Sequence, residues 1–414
     1  MECSSALIEK RDSYYHLHNE SKLGWFGRAG PVAHVRFTLG WCLLLVYFQS
    51  DPPGSPCKKT RKMSLFNHSF SAFLTCLTVC LILIRLAPTV GLLDFPGGRR
   101  QHLDVVPKVG GLALIATLLL GVLLRRIHVH TSPLESSAIL SLAILGVIDD
   151  RFDLRARYKA GLGFILALGL ALATTYRLFP GLSPVHLFGL IIPPIPSLVF
   201  ALLVFMYLCI PQALNLIDGA NGLATGFSLV VTGCLWAAGD PHPFLAGVLL
   251  ACMVLNWPKA RLFLGDCGSL SIGMMLVIFA QKKFLLPNPN HLLWLFAYPA
   301  VDVITVTLIR LFTNRPIFEG DRNHLHFQLG DRWPRHSRLV VPVLLALAAI
   351  CGSEIFVHGH FRIIPYMGLV SLGALSSWLV AVTVMARGLP ADLTTHPKET
   401  EVTIRTAASE PVGK

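Results

Sequence analysis

The chain has 414 residues, of which 53% are apolar and only 14% charged, whereas a soluble domain carries about 25% charged residues. With a mean hydropathy of +0.61, this excludes a water-soluble globule and an intrinsically disordered chain and indicates a polytopic membrane protein. The formal net charge of +12 is then a question of which membrane face is basic, and nucleic acid is not an expected partner. Ten cysteines are scattered without a CxxC pair. Cys76 and Cys80, one helical turn apart in an apolar run, read as small hydrophobes, so neither a zinc site nor a disulfide framework is expected.

Residues 1–62 are atypical. They mix tyrosines, histidines and a Pro/Gly/Lys-rich piece with one apolar patch from Phe37 to Phe48 that is too short for a confident span. Met63 opens a stretch resembling the ordinary start of a membrane protein, which makes 1–62 an extension and Met63 a candidate start. The membrane domain is expected over 63–390, followed by a polar, aperiodic tail over 391–414. Within the domain, apolar runs long enough for helical spans fall at 70–90, 109–126, 135–148, 158–177, 196–214, 222–239, 242–256, 268–284, 291–312, 339–357 and 363–387. The expected fold is therefore an all-α bundle of about eleven transmembrane helices. Its loops divide into two sets, one carrying 19 lysines and arginines and the other 6, so the first set is assigned to the cytoplasm.

Carboxylates in or near spans are costly and are functional candidates by default. Most lie on the basic face. In chain order, the first polar string runs from Asp94 through Arg99, Arg100 and His102 to Lys108 and a Gly110-Gly111 pair entering the second span. The second is Asp149-Asp150 at the end of the third span, followed by Arg151, Arg155, Arg157 and Lys159. Adjacent carboxylates repel, and a bound cation is a common way to keep both ionised. The third string runs from Asn215 to Gly226; a helical turn there puts Asn215 and Asp218 on one face, with Asn221 just beyond. In the fourth, Gly265-Asp266-Cys267-Gly268-Ser269 opens the eighth span. A glycine-bearing helix N-terminus can bind phosphate through free backbone N–H groups, and an Asp or Ser cap is the plainer alternative. The fifth, Asp321-Arg322-Asn323-His324-Leu325-His326, places two histidines that would face together on an extended segment and could donate to phosphate or sugar hydroxyls. Asp302, about 15 Å inside the ninth span at 1.5 Å per residue, reads as structural and satisfied by a neighbour. An acidic mouth in a basic surface suits a divalent cation with a polyphosphate substrate.

Together and in this order the five strings resemble the polyprenyl-phosphate N-acetylhexosamine-1-phosphate transferases, most closely the WecA-like branch. The resemblance runs from about Leu93 to His326 and implies a multi-pass enzyme of the bacterial inner membrane with a cytoplasmic active site. It implies transfer of GlcNAc-1-phosphate from UDP-GlcNAc to undecaprenyl phosphate, initiating a surface glycan such as O-antigen. By resemblance Asp149, Asp150, Asp218 and Asp266 are catalytic, and Asp150, Asp218 and Asp266 bind Mg²⁺ or Mn²⁺. Arg99, Arg100, His102, Lys108, Lys159, Asn215, Asn221, Arg322, His324 and His326 serve the UDP-sugar and lipid phosphate. A homodimer is carried as a partner state. Phe327 departs from the WecA-like HxHH pattern toward that of the MurNAc-pentapeptide (MraY-like) branch, so another UDP-amino sugar stays open as donor. A secondary transporter is the rival class, though transporters favour midplane carboxylates and paired repeats.

Overall fold

The structure, a computed structural model, describes residues 58–95, 104–124, 131–181, 185–187, 190–193, 195–286, 288–316, 322–356 and 363–388. Arg99, Arg100, His102, Asp321, the Phe37–Phe48 patch and the tail lie outside the described residues.

Among the described residues the chain is almost wholly helical, as its long apolar runs require. In order come α1 (Lys58–Val90), α2 (Gly110–Leu123), α3 (Pro133–Phe152), α4 (Ala156–Leu178), α5 (Pro196–Ile217), α6 (Leu223–Ala237) and α7 (Pro243–Asn256). They are followed by α8 (Gly265–Phe284), α9 (Asn290–Leu295), α10 (Ala297–Phe312), α11 (Leu325–Arg332), α12 (Ser337–Gly352) and α13 (Ile363–Gly388). Each expected span finds its helix, and the ninth is divided between α9 and α10. Phe296 leaves helical geometry at the division (φ −104°, ψ 16°). Pro299, three residues on, has no N–H to return to the Leu295 carbonyl. Among the described residues five stretches are long and apolar enough to cross a membrane: Leu65–Val90, Arg157–Gly181, Pro196–Ile217, Pro334–Ile355 and Ile363–Met385. Helices α2, α6 and α7 are shorter and apolar. The protein is a multi-pass membrane bundle.

Two small antiparallel pairings, absent from the sequence reading, sit in the loops. Strand β1 (Leu93–Asp94) pairs with β2 (Val106–Pro107), and β3 (Val185–Leu187) with β4 (Leu190–Ile192). The first adds a bond from Phe263 N–H to the Pro107 carbonyl, 2.8 Å. It thereby ties the loop entering α2 to the loop entering α8.

Helix α8 is the centre of the bundle, packed by α2, α3, α5 and α6 and buried along nearly its whole length. Glycine makes these approaches close enough. A Cβ at Gly146 on α3 would lie 2.3 Å from the Cys267 nitrogen, and one at Gly111 on α2 would lie 2.0 Å from that of Gly268. At the opposite end of the bundle Glu135 is fully buried. It accepts from Lys282 Nζ on α8 (2.5 Å) and Arg177 on α4 (3.3 Å) while closing a capping box with Ser132 at the start of α3. This carboxylate joins three helices. Glu135→Gln keeps the shape and removes the charge, leaving two part-exposed cations, and is expected to cost about 1–3 kcal/mol. Its check is the melting temperature in detergent, which should fall by several degrees; an unchanged midpoint would show the cluster to be idle.

Candidate active site

The polar strings gather at the other end of the bundle, and four of the five meet at the N-terminus of α8. Gly265 starts the helix with φ +71°, and a Cβ there would lie 2.5 Å from an Asp150 carboxylate oxygen. Asp266 is thus in the first helical turn, and the residue before the helix, Leu264, makes no side-chain cap. The cap comes from another helix. Asp150, at the end of α3, accepts from the N–H groups of Asp266 and Cys267, 3.1 Å each, one on each carboxylate oxygen. The Gly265 amide is bonded to Asp218. This corrects the reading of the α8 N-terminus as a free phosphate cradle: its leading amides are already held by protein carboxylates, the dipole-favoured ligand for a helix start.

Asp266 points its side chain into the same space. Its Oδ2 accepts from Lys159 Nζ at 2.8 Å and from Asn215 Nδ2 at 3.2 Å. Lys159, near the start of α4, also donates to Asp149 Oδ2 at 3.0 Å, and the other Asp149 oxygen takes the Leu154 N–H at 2.9 Å. That bond closes the turn joining α3 to α4, where Asp153 adopts a left-handed conformation (φ 51°). The Asn215–Asp218 turn is helical as the spacing requires, with Asp218 N–H on the Asn215 carbonyl at 3.3 Å. Ser269 Oγ completes the set by donating to Asn215 Oδ1 at 2.9 Å. Lys108 ion-pairs with the buried Asp94 at 3.1 Å and its field also reaches Asp150.

Crowding these anions together has a measurable electrostatic consequence. Burial first, then Asp266, pushes the Asp150 carboxyl up to about 7. Burial, again followed by Asp266, pushes Asp149 up to about 6 against the opposing pull of Lys159. Asp218 is raised well above the usual carboxylate range by burial and by repulsion from Asp266 and Asp150. The protein alone supplies too little positive charge to keep all four ionised. An all-oxygen, surplus-negative donor set of this kind fits a hard divalent cation.

The histidine string reaches the same end of the bundle by a route not visible in sequence. His324 and His326 do not lie on an extended segment: His324 precedes α11 and His326 is in its first turn. Their rings nevertheless stay close, with centroids 5.8 Å apart and planes 18° from parallel. Asp302 on α10, fully buried, organises this start. One carboxylate oxygen contacts His324 Nδ1 at 2.7 Å and the other accepts the Leu325 N–H at 2.7 Å. His326 and Phe327 pack onto Gly219, the residue after Asp218; a Cβ there would lie 2.8 Å from His326 Nε2. Among the described residues neither His326 ring nitrogen has a hydrogen-bond partner, and burial pushes its imidazole down to about 4, so the ring is neutral at pH 7.

Two predicted residues are occupied elsewhere. Arg322 spans the Asp331 carboxylate (2.7 and 3.0 Å) and lies over the Phe327 ring. Asn221 donates to the Pro258 carbonyl at 3.2 Å, joining the loop after α5 to the loop after α7. Sequence reasoning missed Ser269 as a partner of Asn215, and it missed Asn256. The latter, buried at the end of α7, accepts from Gly222 N–H and donates to the Leu262 carbonyl at 2.8 Å. An asparagine ending an otherwise apolar run was the available signal.

A helical membrane bundle gathering four aspartates and a lysine at one end defines a class, and comparison with known proteins gives it a name. A family model described as Glycosyl transferase family 4 matches residues 133–282, which run from the start of α3 into α8 and include all four aspartates. The chain is 30% identical over 306 residues to an undecaprenyl-phosphate alpha-N-acetylglucosaminyl 1-phosphate transferase of Pasteurella multocida, covering 70% of this chain and 84% of that protein. Its Haemophilus influenzae counterpart is 29% identical over 307 residues, 70% of this chain and 85% of that protein. A probable undecaprenyl-phosphate N-acetylglucosaminyl 1-phosphate transferase of Bacillus subtilis is 28% identical over 296 residues, 66% and 79% of the two chains. The chain belongs to the polyprenyl-phosphate N-acetylhexosamine-1-phosphate transferase family, in its WecA-like branch.

Proposed function

We propose that this protein transfers GlcNAc-1-phosphate from UDP-GlcNAc to undecaprenyl phosphate at the cytoplasmic face of a bacterial inner membrane, releasing UMP. The observation that carries the reading is the meeting of Asp150, Asp218, Asp266 and Lys159 from four helices at one end of the bundle. The lipid phosphate oxygen forms a bond to the β-phosphorus of the nucleotide sugar, and the bond from that phosphorus to UMP breaks. Such reactions depend chiefly on positioning and on stabilising charge spread over oxygens. Asp150, Asp218 and Asp266 would hold Mg²⁺ or Mn²⁺, which when bound offsets the charge of the donor diphosphate.

Both oxygens of Asp149 are engaged by donors, which suits this side chain to holding the site together; those of Asp150 cap α8 and keep further lone pairs for a cation. A phosphate monoester is largely ionised at neutral pH, so the acceptor needs no strong base. Lys159 is the cation placed to meet an incoming phosphate while bridging Asp266 and Asp149. His324, oriented through Nδ1 by Asp302, and neutral His326 supply the polar edge beside Asp218. His324→Ala should mainly raise KM.

The deciding assay is radiolabel transfer from UDP-GlcNAc to undecaprenyl phosphate by the purified protein. Transfer should require added Mg²⁺, stop with EDTA and return when Mg²⁺ is restored; turnover unaffected by EDTA would remove the dication, and a transferable label only from another UDP-amino sugar would change the donor. A pH series adds a second check. Because Asp150 is pushed up to about 7, protons compete with the cation for it as pH falls. The Mg²⁺ concentration for half-maximal activity should therefore rise about tenfold per pH unit below ~7 per competing proton, and a flat series would take Asp150 out of the cation site.

A further inference from the structure

A second constellation lies away from the transferase site, inside the membrane part of the bundle. Cys76 and Cys80 on α1 and Cys252 on α7 are each wholly buried. Their sulfurs are 4.0 Å apart for the Cys76–Cys80 and Cys76–Cys252 pairs, and all three lie within 4.8 Å of one another. Sequence shows only the first two, one turn apart; Cys252 arrives because α1 and α7 pack unusually closely. Gly247 on α7 permits it, since a Cβ there would lie 2.0 Å from the Ser69 carbonyl oxygen.

A sulfur triangle with sides of this size has a central point about 2.3–2.5 Å from each corner, the metal–thiolate bond range. Soft thiolates select soft, thiophilic ions. Charge then chooses among them. Zinc or copper(I) on three thiolates leaves a net negative complex, expensive in an apolar interior lacking a counter-charge, and among the described residues no lysine or arginine is among the groups acting on these thiols. A trivalent ion leaves none. We propose that Cys76, Cys80 and Cys252 form a binding site for trivalent arsenic or antimony, the class of thiophile that is neutral both in water and when fully thiolate-bound. Arsenous acid, As(OH)₃, brings three hydroxides; three As–O bonds break, three As–S bonds form, and the thiol protons leave with the hydroxides as three waters. No oxidation state changes and no charge is left in the membrane. The site also touches the catalytic half of the bundle, because Cys252 Sγ contacts the Gly110 carbonyl at 3.8 Å and the Gly110 N–H is bonded to the loop leading into α8.

The test uses the full chain in detergent, reduced, incubated with arsenite and passed over a desalting column. The wild type should retain one arsenic per chain, with X-ray absorption at the arsenic edge giving three sulfur neighbours and no oxygen. A Cys3→Ser/Cys42→Ser/Cys57→Ser variant should retain it equally, as should Cys209→Ser. Cys252→Ser, which should keep its transferase activity as the check on folding, should lose it. No retained arsenic in the wild type, fewer than three sulfur neighbours, or retention by Cys252→Ser equal to wild type would overturn the proposal; so would loss in the N-terminal triple variant. The absorption spectrum decides the matter on the wild type alone should Cys252→Ser fail to fold.

Discussion

Asp266→Asn should lower the transfer rate about 10³-fold while the protein still reaches the membrane in normal amount. Asparagine preserves the shape of the side chain and can still accept from Lys159 and Asn215, the two groups that Asp266 engages at 2.8 and 3.2 Å, so the bundle has no reason to unfold. What disappears is one negative charge at the hub of the site. Asp266 is the neighbour whose field raises Asp149, Asp150 and Asp218 alike. Its removal therefore lowers those carboxylates, while burial, the larger cause, still holds them above their ordinary range. A loss of activity in this variant therefore runs against that easing of the remaining aspartates and reports the Asp266 oxygens, and the apparent Mg²⁺ requirement should rise with the fall in rate. Radiolabel transfer across a Mg²⁺ titration reads both quantities, and wild-type turnover would take Asp266 out of the cation site.

The bundle was legible because its signal is strong and local. Runs of about twenty apolar residues leave the backbone one way to satisfy its polar groups in lipid, and the two shortest runs, the third and seventh, also find their helices in α3 and α7. The aspartates were legible for the converse reason, since a carboxylate at an apolar boundary has to be accounted for. Relations between distant residues were not legible. Nothing in Gly265–Ser269 reveals that Asp150, more than a hundred positions earlier, caps the helix, because an intrinsic Asp or Ser cap and a free phosphate cradle have the same local sequence. The histidine pair was misplaced on an extended segment since its helix has only eight residues and owes its start to a carboxylate from α10. Ser269, Asn256 and the third cysteine share that property: each acquires its role only from the element packed against it.

Asp302 is where this lesson turns into a prediction. A fully buried carboxylate with its two oxygens on His324 Nδ1 and Leu325 N–H fixes both the orientation of one histidine and the first turn of the helix carrying the other. Asparagine at this position offers one acceptor where two are needed, so either the imidazole or the amide is left wanting. A partner that orients a functional histidine is typically worth about 10- to 100-fold, and Asp302→Asn should lose that much in kcat/KM, mostly through KM if His324 serves binding. A purely structural role would lower the amount of folded protein and leave the kinetics of the remainder untouched, so the melting temperature and the kinetic split must be read together. The double variant Asp302→Asn/His324→Ala is the sharper experiment. If Asp302 acts through His324, the two losses do not add, because side chains in direct contact couple and the second substitution removes a group already misplaced. Additive losses would mean that Asp302 serves the bundle alone, and that the histidine string holds its place beside Asp218 without it.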